Sequence, residues 1–144
     1  MKTNNQIICS GGLFLACDTK RFLMLMRDQG KTSGTWGFVG GKKEPSDMTP
    51  VDALIREIQE EVGNVPVIKK IIPLELFTSN DENFCYNTYA LLVDEEFIPK
   101  LNDEHSGYAW CRVNAWPKPL HQGVKNSLNS KTIRAKIEIL LDII

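Results

Sequence analysis

The chain has 144 residues, 42% hydrophobic and 24% charged. These proportions fit one globular domain, residues 1–144, and exclude a disordered tail, a coiled coil or a collagen-like rod. Seventeen lysines and arginines against eighteen acids leave a net charge of −1, without the basic excess a duplex-binding module needs to displace counterions from phosphates.

The N-terminus carries a deceptive signal. Lys2, the apolar run Ile7 to Ala16 and then Cys17 imitate a lipoprotein leader. The run is interrupted by Ser10, Gly11 and Gly12 and is too short to span a bilayer, so it is read as a first strand. Residues 6–17 and 21–28 are β-rich runs separated by Asp18-Thr19-Lys20, which predicts a hairpin. Residues 29–35 form a loop of Gly, Ser and Thr, followed by the apolar stretch Trp36 to Val39 and the pair Gly40-Gly41.

A helix follows with clear punctuation. Thr49 caps it, Pro50 suits its first position and Asp52 occupies the acidic place of a capping box. Val51, Leu54, Ile55, Ile58 and Val62 recur at helical spacing, and Gly63-Asn64 closes the end. Strands are expected at 67–78 and 84–94 around a polar loop at 79–83, with a last strand from Tyr108 to Val113. From Ser130 onward, Ile133, Ile137, Leu140, Leu141 and Ile144 share one face of a final helix. This mixed order predicts a layered α/β domain. Cys9, Cys17, Cys85 and Cys111 show no CxxC, and His105 and His121 stand sixteen residues apart. That spacing suits no structural zinc site and indicates reduced thiols in a cytoplasmic protein.

The informative segment is Arg56-Glu57-Ile58-Gln59-Glu60-Glu61-Val62-Gly63. At about 100° per residue, Glu57, Glu60 and Glu61 fall within one arc about 100° wide, turned away from the apolar stripe. Like charges three and four apart destabilise a helix, and acids near its C-terminus oppose the macrodipole. A divalent cation removes both penalties, and Mg²⁺ commonly works between carboxylates and substrate phosphates. The plainer alternative is a solvated acidic face.

Residues 40–63 resemble the Nudix box, G-x5-E-x7-R-E-U-x-E-E-x-G-U with U apolar. Arg56, Glu57, Ile58, Glu60, Glu61 and Gly63 match its second half, with Asn64 in place of the last apolar residue. The first half departs: from Gly41 the acid is Asp47 rather than Glu, and eight residues rather than seven separate it from Arg56. Trp36-Gly37-Phe38-Val39-Gly40-Gly41 is similar to the family's approach to the box.

The resemblance implies an α/β/α sandwich with a mixed β-sheet and a hydrolase that cleaves a nucleoside diphosphate linked to another group, using Mg²⁺ or Mn²⁺. It makes Glu60 and Glu61 metal ligands, Glu57 a ligand or the base that activates water, Gly40 a carbonyl ligand, and Arg56 the residue that orients the carboxylates. Glu104, six residues before Trp110, is the candidate for the family's extra carboxylate, with Glu82 as its rival. His105 is a candidate base in some relatives, although a surface histidine is the plainer reading. Arg27, Lys42 and Lys43 are candidates to reach phosphates. Trp36, Phe38, Tyr89 and Trp110 are candidates to stack on a base, each with core packing or solvation as the alternative. Residues 117–123 are read as a rigid loop beside the site. The implied partner is a small nucleotide rather than duplex nucleic acid or a membrane, with the protein a monomer or homodimer. Nucleoside triphosphates, ADP-ribose or nucleotide sugars, and dinucleoside polyphosphates all remain open as substrates. So does a Nudix-fold module that binds a nucleotide without cleaving it.

Overall fold

The apolar run near the N-terminus is a central strand because both of its faces are covered. The computed structural model describes residues 6–144. Strands β1 (Ile7–Ala16) and β2 (Arg21–Arg27) are joined by the expected turn, where Lys20 has a left-handed backbone (φ 58°) and donates its N–H to the Ala16 carbonyl at 2.8 Å. Leu13 and Leu15 enter one core with Phe22 and Met24, while Phe14 and Ala16 enter the other with Leu23 and Leu25. A strand buried on both sides is apolar at nearly every position, which is why this one imitates a leader.

The hairpin is paired only at its closed end, Leu15 opposite Phe22 and Ala16 opposite Arg21. Towards its start, β1 pairs instead with β4 (Val39–Lys42), while β2 continues onto β3 (Trp36–Gly37) and β7 (His105–Cys111). On its other side β1 runs parallel to β6 (Phe84–Val93), and β5 (Lys70–Thr78) is antiparallel to β6. The product is a mixed sheet of order β3-β2-β1-β6-β5, with β4 added on β1 and β7 on β2.

Helix α1 (Pro50–Val62) covers one face through Leu54, Ile58 and Val62. Helices α2 (Gln122–Leu128) and α3 (Lys131–Ile143) cover the other through Val124, Leu128, Ile133, Ile137 and Leu140. The domain is therefore the expected α/β/α sandwich. The Thr49 hydroxyl accepts the Asp52 N–H at 3.1 Å, a cap that contributes about 1 kcal/mol. Among the described residues no helix is long and apolar enough to cross a membrane.

Three local expectations need correction. The end of the 117–123 loop is already helical, since α2 starts at Gln122. Its sequence QGVKNSL has weak helix formers and a single apolar i,i+4 pair, so periodicity gave no warning. The last strand begins at His105, not Tyr108, and ends at Cys111, because pairing with β2 continues through a bulge until Arg27 faces His105. Ile55 is exposed at the edge of α1 rather than part of its buried stripe.

Candidate active site

The site is built where two glycine pairs cross. Gly11 and Gly40 face each other on β1 and β4, and Ser10 faces Gly41. Gly40 has φ +151°, and a Cβ there would collide with the Ser10 carbonyl and Gly11. A Cβ on Gly41 would lie 2.7 Å from the Glu57 carboxyl group. These glycines let α1 lay its carboxylates directly against the backbone of β4.

The three helix acids grade from solvent to core in the angular order that the helix gives them. The Glu60 side chain is 50% exposed, Glu57 13%, and the Glu61 residue only 2%. The sequence placed this arc away from the core, whereas Glu61 lies beneath β4, where its carboxylate accepts the Gly40 N–H at 2.9 Å. Burial, reinforced by the Glu57 and Glu104 charges, pushes its pKa up to about 9, against the opposing pull of the Gly40 N–H and Arg27. Burial raises Glu57 as well, with Arg56 acting against it.

Arg56 ties the acids together. Its Nε and Nη2 donate to Asp47 at 3.0–3.3 Å, its Nη1 donates to Glu57 at 3.0 Å and more loosely to Glu60 at 3.4 Å, and Nη2 also reaches the Lys42 carbonyl at 3.1 Å. Asp47 is buried and also accepts the Glu44 N–H at 2.9 Å. The Arg56 guanidinium and that N–H hold its carboxyl below the usual carboxylate range. Thus the loop that is one residue longer delivers the shorter acid to the arginine.

Strand β7 brings the remaining groups. One ligand atom each from Glu61, Glu104 and His105 lie within 4.8 Å of one another. The expectation of a surface histidine is overturned: His105 is 6% exposed, its buried Nδ1 has no hydrogen-bond partner among the described residues, and burial lowers its pKa to about 4. The cause is the early start of β7, which turns this side chain inward. Glu82 lies in the turn between β5 and β6 with a left-handed backbone (φ 60°), and Glu104 is the acid that accompanies Glu61.

Arg27 donates to Thr32 at 2.7 Å, and its charge acts on Glu61, His105, Tyr86 and His121. A cavity of about 350 Å³ is formed by β5, β6 and α2, and its lining includes Phe84, Tyr86, His121 and Asn126. Sequence reasoning missed this cavity. Its lining alternates along β6 and joins a helix that the pattern did not disclose. Phe38 is 6% exposed within the core beneath α2 and α3, Trp36 packs partly against the same core, and Tyr89 is buried on the opposite face. Trp110 donates its indole N–H to the Phe97 carbonyl at 3.0 Å. Lys42 is exposed at the end of β4.

The NUDIX domain model matches residues 11–130. The nucleoside triphosphatase NudI of Escherichia fergusonii is 27% identical over 140 residues, covering 90% of this chain and 92% of that protein. NudI of Escherichia coli K12 gives the same identity and coverage. The MutT NUDIX hydrolase from Burkholderia pseudomallei superposes with a TM-score of 0.69 at 23% identity, over 88% of this chain and 98% of that one. The NUDIX domain of Shewanella oneidensis NrtR, in a cocrystal with ADP ribose, gives 0.70 at 16% identity, over 95% and 90%. With its box folded into one carboxylate cluster and most of its length matched, the chain belongs to the NUDIX domain family and is a Nudix-type pyrophosphohydrolase.

Proposed function

We propose that the enzyme hydrolyses the diphosphate linkage of a nucleoside diphosphate derivative, nucleoside triphosphates first among them. Mg²⁺ or Mn²⁺ would be held by Glu57, Glu60, Glu61, Glu104 and the Gly40 carbonyl. The observation that carries this reading is the convergence of Glu61, Glu104 and His105 donor atoms within 4.8 Å. The donor set fits a divalent cation: Glu61 is a buried carboxyl on which the Glu57 and Glu104 charges act, and a cation would offset the penalty on its ionised form. Bound there, the ion supplies charge neutralisation at phosphate oxygens and makes a water easier to deprotonate.

The protein's own groups divide the remaining work. Glu57, oriented by Arg56 at 3.0 Å, takes the proton of the attacking water. The water oxygen bonds to phosphorus as the P–O bond to the departing phosphate group breaks. Arg27 offsets phosphate charge, and the cavity beside Tyr86 receives the nucleoside. Similarity to proteins named nucleoside triphosphatase NudI supports testing nucleoside triphosphates first in the substrate panel. ADP-ribose, nucleotide sugars and dinucleoside polyphosphates complete it. A binding module without turnover had its support in the altered first half of the box, and the Asp47–Arg56 contacts leave that reading no observation of its own. The free cysteines suit a cytoplasmic enzyme acting on a soluble nucleotide.

The test is hydrolysis of that panel with Mg²⁺ or Mn²⁺, with products identified by mass. Selective cleavage by the wild type, lost in Glu57→Gln, is the expected result. Metal binding with no product from any substrate would overturn the proposal.

A further inference from the structure

We propose that the metal site is a mixed oxygen–nitrogen site in which the His105 imidazole binds the ion directly beside Glu61 and Glu104. The inference rests on the reading of this cluster as a metal centre and goes beyond it by adding a ligand and a metal preference.

Three observations converge. First, His105 contributes a ring nitrogen to the group of atoms within 4.8 Å. Ligands at about 2.1 Å from a shared ion stand about 3 to 4 Å from one another, so a small inward movement closes the set. Second, the His105 Nδ1 is buried and has no hydrogen-bond partner among the described residues. A buried imidazole nitrogen in that state has lost water and gained nothing in exchange, and a bound cation would supply the missing partner. Third, the side chain is fixed rather than free: residue 105 opens β7, is paired with Arg27 across the bulge, and is 6% exposed. An acidic cluster by itself carries no ligand, but a buried imidazole in that cluster with an unpartnered ring nitrogen points to one.

The consequence concerns which metal is bound. All-oxygen sites suit both Mg²⁺ and Mn²⁺, whereas an added imidazole donor shifts the balance away from Mg²⁺ towards first-row transition ions, Mn²⁺ included. The enzyme is therefore expected to prefer Mn²⁺ to Mg²⁺ at this position.

The experiment is electron spin-echo envelope modulation on the Mn²⁺-loaded wild type, prepared with natural-abundance and with ¹⁵N-labelled histidine. The chain contains only two histidines, so the isotope identifies a bound imidazole and two single variants decide which histidine supplies it. The expected result is a nitrogen modulation that changes with the isotope, persists in His121→Gln and vanishes in His105→Gln. Calorimetry should show the Mn²⁺ affinity of His105→Gln falling about tenfold and its Mg²⁺ affinity falling less. Bound Mn²⁺ without an isotope-sensitive nitrogen signal overturns the ligand assignment while leaving the metal centre intact. The same holds for a signal that persists in His105→Gln. Failure to bind Mn²⁺ at all overturns both readings.

Discussion

Replacing Glu61 with Gln separates the role of this carboxyl in the fold from its role in binding metal. In the folded, metal-free chain its pKa is about 9 against an ordinary value of 4.5. Between those values the folded state holds a proton that the unfolded state has released, so stability falls as pH rises from about 4.5 to 9. At pH 8, with ~1.4 kcal/mol per pH unit, the upper bound is about 5 kcal/mol. Water entry and side-chain relaxation reduce it, and about 3 kcal/mol is the expected size. Gln keeps an acceptor for the Gly40 N–H and cannot ionise. In EDTA at pH 8, Glu61→Gln should therefore melt about 10 °C above the wild type, with the difference shrinking towards pH 5. The comparison belongs between pH 7 and 9. Below that, His105, with its pKa lowered to about 4, contributes the opposite slope: its stabilisation is lost as pH falls from about 6.5 to 4. Saturating Mn²⁺ should reverse the order, because the wild type gains the ion's binding energy and the variant gains little. Parallel stability curves for the two metal-free proteins from pH 7 to 9, measured by urea titration, would refute the argument that Glu61 is buried against its charge.

Other substitutions probe the surrounding structure. Gly40→Ala should cost about 3 kcal/mol or more in a urea melt, because its Cβ meets backbone that cannot move aside. In contrast, Gly41→Ala meets the end of the Glu57 side chain and should leave the melt nearly unchanged while lowering kcat at least tenfold. Arg56→Lys keeps the charge but loses the fork that reaches Asp47 and Glu57 together. Its kcat should fall by about ten- to a hundredfold with KM little altered. Phe38→Ala should lose about 3 kcal/mol of stability and leave KM for the nucleotide unchanged, whereas a stacking role would raise KM.

The parts of the molecule that sequence discloses are those where one residue type answers one local requirement. Thr49, Pro50 and the spacing of Leu54, Ile58 and Val62 settle α1 almost to the residue. Likewise, the alternation hidden in β1 and β2 becomes a sheet buried on both faces. The exceptions share a cause, because each depends on a partner distant in the chain. His105 is buried because β7 extends its pairing with β2, and nothing in Glu104-His105-Ser106-Gly107 announces a strand. Helix α2 is held by packing Val124 and Leu128 against the sheet, so its weak local propensity conveys little. Gly11, read only as an interruption of an apolar run, lies opposite Gly40 and beneath the Tyr86 hydroxyl.

The altered first half of the box shows the same logic within the site. Asp in place of Glu shortens the side chain by a methylene, and an extra residue lengthens the loop that carries it. With both changes present, the Asp47 carboxylate lies 3.0 Å from Nη2 and also accepts the Glu44 N–H. A motif written as fixed spacings records one solution to that distance, and this chain uses another. The physical requirement is a buried carboxylate that pins the guanidinium so that its remaining N–H groups face Glu57 and Glu60. That requirement explains why Arg56 can hold two acids of α1 close together.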